Sequence, residues 1–223
     1  MALTISECRF RAFCRQHRFR VERLPPSRQM GEQTPDFLLR RFGRELAVEI
    51  KQIDPTPAEL LEIAKFEAGG ISSSSGEPGS RVRNAIAKGA PQLRALTRGR
   101  IPGLLVLYDN VPMPTIHLDP YAIKVAMYGL EQVVMVQAAP NSLRSEVVDT
   151  RFGGKRRVTP TDNTTLSAVA LLSLQATEEF CFDIFHNSFA IRPIHPWLFR
   201  RRGIRQWRLS AKTPGQSQEW EPA

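Results

Sequence analysis

The sequence predicts an α/β protein in which a mixed central β-sheet is flanked by helices. Three observations lead to this prediction. Residues 34–51 have the pattern of a β-hairpin, residues 80–96 carry apolar side chains at helical spacing, and residues 103–108 form an apolar run typical of a buried strand. Because 223 residues suffice for one sizeable hydrophobic core, we expect a single domain over residues 1–199 and a basic, flexible tail over 200–223.

The composition is strongly basic, with a formal net charge of +9 and a sequence pI of about 10.1. Only six of the 31 basic residues are lysine, so arginine supplies most of the charge. The planar arginine fork suits phosphate groups, and a basic surplus favours a polyanionic partner, although a GC-rich genome would give the same bias. The three cysteines lack the spacing of a disulfide framework, and no apolar run is long enough for a membrane helix. We therefore expect a cytoplasmic protein without a membrane segment.

The first helix is predicted over residues 4–17, because Thr4 and Glu7 have the spacing of a capping box and an apolar stripe follows them. Glu7 also lies seven residues before Cys14, which places both side chains on the inward face. It is therefore either only a helix cap or an acidic group directed towards a site. Phe19–Leu24 is predicted to be the first strand.

The central hairpin is predicted to turn at Phe42-Gly43, because glycine at the second position suits the tight turns of two-residue hairpin loops. In that register Asp36 falls opposite Glu49, and alternation along the strands puts Lys51 on their face. The opposite face is apolar and is predicted to face the core; it carries Phe37, Leu39, Leu46, Val48 and Ile50. Two carboxylates and one amine are thus expected to converge at one end of the hairpin. A solvated Glu-x-Lys face is the alternative interpretation.

Hard divalent cations such as Mg²⁺ prefer oxygen ligands, usually one or two carboxylates together with water and substrate phosphate. Pro35-Asp36, a hairpin-length gap and Glu49-Ile50-Lys51 resemble the two motifs of the PD-(D/E)XK nuclease superfamily. The resemblance implies a restriction-endonuclease-like core (α-β-β-β-α-β) over residues 4–108. Residues 109–199 are predicted to form a β-rich elaboration of this core. It also implies roles for individual residues. Asp36, Glu49 and the Ile50 carbonyl would bind Mg²⁺, with Mn²⁺ able to substitute, Glu7 would be a further acidic group near the metal, and Lys51 would be the catalytic lysine.

Two helices are predicted after the hairpin. The first is capped at Thr56 and stops near Gly69, and the second is capped by Ser80. On the second helix, Lys88 and Gln92 lie on a polar stripe; they are either phosphate-facing residues, as in several branches of the resembled superfamily, or solvated ones. The polar loop 27–33 and the serine-rich segment 72–79 are predicted to connect elements, and the latter is either a passive loop or a flap.

The remaining chain is predicted to contain a helix over 119–129 and a strand over 133–137, followed by a second hairpin over 146–159 that turns at Gly153-Gly154. Its tip is basic and could contact phosphate or could simply be a hydrated edge; the basic residues are Arg151, Lys155, Arg156 and Arg157. Residues 166–172 and 181–184 are predicted to be buried strands. His186 is interpreted as a core histidine rather than a phosphate contact, and the chain end from Thr213 is expected to be disordered.

The leading hypothesis is a Mg²⁺-dependent nuclease that hydrolyses phosphodiester bonds in nucleic acid, with DNA favoured over RNA. One alternative is a non-catalytic nucleic-acid-binding module that retains the fold, and another is a scaffold in which the hairpin match is accidental. The sequence has no phosphate-binding Gly-x-x-x-x-Gly-Lys-Ser/Thr motif and no zinc-finger spacing, which argues against an ATP-driven motor or a zinc module. The oligomeric state is left open, with a homodimer among the options.

Overall fold

The structure is a computed structural model that describes residues 3–25, 34–71, 76–111, 118–137, 144–174, 179–213 and 216–223. The predicted loop 27–33 and the serines at 72–75 lie outside these residues. The helices are α1 (Ile5–Gln16), α2 (Pro57–Glu67), α3 (Ser80–Thr97) and α4 (Pro120–Tyr128), with a 3₁₀ helix at Pro196–Phe199. The strands are β1 (Arg20–Arg23), β2 (Phe37–Arg41), β3 (Arg44–Ile53), β4 (Gly103–Asp109), β5 (Glu131–Gln137), β6 (Ser145–Phe152), β7 (Leu166–Leu174), β8 (Phe180–His186), β9 (Ile204–Leu209) and β10 (Trp220–Pro222).

Eight strands form one sheet in the order β1-β2-β3-β4-β7-β8-β9-β10, and β5 and β6 form a separate two-stranded sheet. The strands β3, β4 and β7 run parallel, whereas β1, β2 and β3 are joined as antiparallel neighbours. The predicted α/β class with a large mixed sheet flanked by helices is therefore confirmed. Most of the predicted elements lie where the sequence placed them, including α1, β4, α4, β7 and β8.

The sheet separates two hydrophobic layers. On one face, α1 packs Phe10 and Phe13 against Phe37 and Leu39 of β2. On the other face, α3 and α4 cover the alternate side chains of the strands, for example Ala47 of β3. This division follows from the period-two alternation along each strand, which also confirms the predicted core face of the hairpin.

The beginning of α3 differs from the prediction by one residue. Gly79, and not Ser80, is the residue that precedes the helix, and its φ of +71° is in the left-handed region. A Cβ at this position would lie 2.5 Å from the carbonyl oxygen of Ala122, so the close approach of α4 requires glycine. Ser80 becomes the first helical residue.

The predicted second hairpin is wrong in its pairing. Strand β6 pairs antiparallel with β5, and residues 155–159 do not form a strand. Lys155 has a φ of +60°, which turns the chain away from the strand direction. The backbone N–H of Val158 then donates to the carbonyl of Met127 at the end of α4, and its side chain is buried. The segment after Gly154 therefore packs against α4 through Val158 and does not pair with β6.

The expected disorder of the chain end is also wrong at Trp220–Pro222, which pairs with β9 as β10. The buried Lys124 of α4 helps to hold this segment, because its Nζ donates to the carbonyl of Gln218 at 2.9 Å and to Glu219 Oε1 at 3.0 Å. The sheet consequently continues beyond the domain boundary expected at residue 199. Within the described part of the chain, no helix combines the length and the apolar character needed to cross a membrane.

Candidate active site

The β2–β3 hairpin has the predicted register, with Arg41 paired with Arg44 and Phe37 paired with Val48. Both turn residues have positive φ, +50° at Phe42 and +74° at Gly43, as the mirror-image turn of a two-residue hairpin requires. One residue before Phe37, Asp36 therefore lies at the open end of the hairpin, beside the residues that follow Val48. The turn thus fixes the register that brings the two motifs together.

Asp36 is held in place by two backbone contacts. Its Oδ2 accepts a hydrogen bond from the backbone N–H of Ile50 at 2.8 Å, and its own carbonyl accepts one from Leu24 at 2.9 Å. The side chain is half-buried, and this burial raises its pKa, an effect that the Ile50 N–H opposes and the charge of Glu7 reinforces. Asp36 is therefore a positioned carboxyl close to a second acid.

Glu49 is the most deeply buried acidic group of the site, with 1% of the residue exposed. Burial raises its pKa from 4.5 to about 7, and the neighbouring charge of Asp36 acts in the same direction. Its Oε1 lies 2.6 Å from Lys51 Nζ, whereas Oε2 is buried and accepts no hydrogen bond. A buried carboxylate oxygen without a partner costs free energy, so the arrangement favours a proton or a cation there.

Lys51 is fixed between two elements. Its Nζ contacts Glu49 on its own strand and donates to Gln92 Oε1 of α3 at 2.7 Å. Gly89 allows this approach, because a Cβ there would lie 3.3 Å from Glu49 Cγ and only 2.7 Å from Leu105 Cδ1. The structure thus brings Gln92 into the site as the polar stripe of α3 suggested, but Lys88 is exposed and makes none of these contacts.

Glu7 is buried at the beginning of α1 and does two things. Its Oε2 accepts from the N–H of Thr4 at 2.6 Å, which completes the predicted capping box, and its Oε1 lies 3.4 Å from Arg23 Nη2. The helix is docked over the end of β3, because the N–H of Ser6 donates to Gln52 at 3.1 Å. Glu7 therefore caps α1, and it is not only a cap, because its charge also acts on Asp36.

A metal fits this donor set in two respects. The unpartnered Glu49 Oε2 is a ready ligand, and a strand residue points its N–H and carbonyl to the same side, so the Ile50 carbonyl is directed towards Asp36. Across the described residues, no group of three or more His, Cys, Asp or Glu side chains is arranged to hold a metal ion. Two carboxylates and a carbonyl suit Mg²⁺, which keeps several waters, better than a cation that needs an all-protein cage.

The predicted basic ribbon lies elsewhere. Lys155 pairs with Glu77, next to the beginning of α3, at 3.1 Å, and the hydrogen bonds and ion pairs of the described residues do not join Arg151, Arg156 or Arg157 to the Glu49 site. His186 is three strands away from β3, roughly 14 Å. It contacts Gln206 at 3.2 Å and burial lowers its pKa, which agrees with a satisfied histidine.

Arg23 is the site residue that the sequence interpretation missed. It pairs with Glu7, and its charge lowers the pKa of Asp36, so it balances two acids. The alternation of side chains along β1 could have indicated its position, because Arg23 lies two residues after Val21 and therefore on the same face, beneath α1. The spacing alone does not distinguish such an arginine from a solvated one.

No protein-family model, no curated protein and no solved structure matches this chain.

Proposed function

We propose that this protein is a Mg²⁺-dependent nuclease with a restriction-endonuclease-like core that hydrolyses phosphodiester bonds in DNA. One observation carries the proposal. A fully buried glutamate, Glu49, lies between a second carboxyl and a lysine and retains an oxygen without a hydrogen-bond partner. Such a group is costly in a protein core unless the site uses it.

The order of the elements supports the same proposal. The succession α1, β1, β2, β3, α3 and β4 corresponds to the helix, three strands, helix and strand of the resembled core, with α2 added between β3 and α3. The site lies at the carboxyl ends of the parallel strands β3 and β4, which is where open α/β sheets bind their ligands. The net charge of +9 suits a polyanionic substrate.

Asp36, Glu49 and the Ile50 carbonyl would hold the cation. When bound, Mg²⁺ supplies Lewis-acid polarisation of the scissile phosphate and lowers the pKa of a coordinated water. The residues of the chain perform the remaining tasks. Asp36 is oriented by the Ile50 N–H, which donates to one of its two oxygens, and Arg23 offsets the negative charge that Glu7 of α1 adds near it.

Lys51 would act on the nucleophile or on the phosphate. Its Nζ is held at 2.6 Å from Glu49 and 2.7 Å from Gln92, which leaves the third ammonium proton for a water or for a phosphate oxygen. A donor fixed in this way stabilises charge that develops in the transition state without reorganising. Gln92 is then a positioning residue that holds the lysine.

The test is a comparison of four purified variants for Mn²⁺ affinity and for cleavage of linear and circular DNA with Mg²⁺, Mn²⁺ or EDTA. We expect Asp36→Asn and Glu49→Gln to lose both metal binding and cleavage. Lys51→Ala should keep metal binding and lose turnover by about 10²-fold or more, as removal of one transition-state donor does.

The matched control is Glu45→Gln. Glu45 is exposed, pairs with Arg40 at 2.8 Å, and lies four residues, roughly 13 Å, before Glu49 on the same strand. Its replacement should leave both properties intact. Full cleavage by the Lys51 variant, or equal loss in the Glu45 variant, would refute the assignment. Nucleic-acid binding without cleavage in the unmodified protein would favour the non-catalytic module instead.

A further inference from the structure

The end of the hairpin opposite the candidate active site carries two exposed aromatic rings. Phe42 at the turn is 61% exposed, and Trp197 of the 3₁₀ helix is 46% exposed. The rings contact each other edge to face, with centroids 4.6 Å apart. Large aromatic surfaces in water are unfavourable for a monomer, so this pair indicates an interaction surface.

The backbone at Phe42 strengthens this point. A φ of +50° is the left-handed region, where asparagine or glycine is favoured and an aromatic residue is strained. The turn therefore retains a phenylalanine at the expense of stability. Backbone strain of this kind concentrates at binding sites.

Arginines surround the two rings. The Arg41 guanidinium lies 4.5 Å from the ring centre of Phe42 and 4.7 Å from that of Phe19, and it donates to the carbonyl of Leu198 at 2.5 Å. Burial lowers the pKa of Arg41, and the charge of the nearby Arg201 acts in the same direction. Within the described residues, Arg200, Arg201 and Arg202 are exposed and form no ion pair.

Next to these residues is an open depression of about 460 Å³, which Arg200, Arg201 and Arg202 line together with Trp207. It has the volume of a small-ligand site. Glu45, close to the hairpin turn, follows Arg44 on the strand, so its side chain points to the opposite face, where it pairs with Arg40. The surface formed by the two rings and these arginines is therefore positive and partly aromatic.

We propose that Arg41, Phe42, Trp197 and Arg200–Arg202, here called the aromatic–arginine surface, bind single-stranded DNA. Unpaired bases stack on exposed aromatic rings, and arginines follow the phosphates, whereas duplex bases are already stacked and offer no free face. From Arg44 to Lys51 the strand spans roughly 23 Å, and the two sites lie on opposite faces of the sheet. The surface is thus separate from the Glu49 site, and the inference rests on the proposed function only for the choice of nucleic acid as partner.

The experiment measures binding of a fluorescent dT₁₅ oligonucleotide and of an abasic strand of equal length and charge by anisotropy in EDTA. We expect the unmodified protein to bind dT₁₅ more tightly than the abasic strand or a duplex. Trp197→Ala should weaken dT₁₅ binding by roughly 5- to 150-fold and leave abasic binding unchanged, since one stacking contact is lost. Arg201→Ala should weaken both and reduce the salt dependence by about one phosphate contact.

Two further variants keep the result interpretable. Phe42→Asn removes a ring while suiting the turn, so it should raise the melting temperature and still weaken dT₁₅ binding. Tyr121→Ala removes a 52% exposed aromatic ring on α4, over the other face of the sheet, and should not affect binding. Equal affinity for dT₁₅ and the abasic strand, or unchanged binding in both Trp197→Ala and Phe42→Asn, overturns the proposal.

The outcome is separable from that of the proposed nuclease activity, because binding is measured without metal. Loss of cleavage in Lys51→Ala with unchanged dT₁₅ binding in both Trp197→Ala and Phe42→Asn would refute only the aromatic–arginine surface. Full cleavage in Lys51→Ala with weakened dT₁₅ binding in these two variants would refute only the nuclease.

Discussion

The burial of Glu49 makes the stability of the metal-free protein depend on pH. The pKa of Glu49 is about 7 in the folded protein, compared with 4.5 for the unperturbed group. At Glu49 the folded state therefore binds more protons than the unfolded state between these values, so the contribution of this group to stability is fully present below pH 4.5 and is lost as the pH rises through 7. A shift of this size corresponds to about 3 kcal/mol, a large fraction of the stability of a typical domain.

The assay is urea unfolding in EDTA at several pH values between 4.5 and 8. Relative to Glu49→Gln, the free energy of unfolding of the unmodified protein should fall by about 3 kcal/mol across this range. The comparison with Glu49→Gln is needed because burial lowers the pKa of His17 and of His186, and these groups contribute with the opposite sign in both proteins. Mg²⁺ should restore stability at pH 8, because a cation replaces the proton.

The control is Glu45→Gln, which replaces an exposed carboxylate on the same strand and should leave the pH slope unchanged. The same dependence of the unfolding free energy on pH in Glu49→Gln as in the unmodified protein would show that Glu49 is not desolvated in solution. In that case Glu49 would not be a buried carboxylate that favours binding of a cation.

Two further predictions concern α3. Gly89→Ala should destabilise the protein by about 1–3 kcal/mol in urea unfolding, because the added Cβ would lie 2.7 Å from Leu105 Cδ1. It should also reduce cleavage, because α3 would be pushed away from Lys51. An unchanged free energy of unfolding would contradict the close approach of α3 to the sheet. Gln92→Ala should lower the turnover of the cleavage reaction without changing Mn²⁺ affinity, because it removes only the 2.7 Å contact that positions Lys51. The control is Lys88→Ala, one helical turn away, which should leave turnover unchanged.

The sequence predicted the hairpin and its register because the relevant information is local. A two-residue turn containing Gly43 determines the pairing, and alternation then assigns Asp36, Glu49 and Lys51 to one end and one face. The helix cap at Thr4 and the N-cap at Asp119 are equally local signals. The partner of β6 was predicted wrongly, because Gly153-Gly154 indicated pairing with the segment that follows, whereas β6 pairs with the strand that precedes it, β5. The apolar Val158 after the glycines is buried against α4 instead, a contact that the local pattern does not indicate.

The chemical environment of the site could not be obtained from spacing, because it depends on segments that are distant in the chain. Glu7 and Arg23 reach Asp36 from α1 and β1, and Gln92 reaches Lys51 across 41 residues. Only the tertiary structure shows that Glu49 is buried with one oxygen unpartnered, which turns a common Glu-x-Lys pattern into an argument for a cation.

The aromatic–arginine surface could not be predicted from the sequence either, because its residues come from distant parts of the chain. Arg41 and Leu198, whose contact joins its two halves, are separated by 157 residues. In the sequence, Phe42 is only a turn residue and Trp197 only an aromatic residue in a basic segment. Three features indicate a binding surface only in combination: the contact between the two rings, the left-handed backbone at Phe42 and the arginines without ion pairs to other described residues. Each feature alone has an ordinary structural explanation. Together they suit a single strand, whose unpaired bases can stack on the rings while its phosphates contact the arginines.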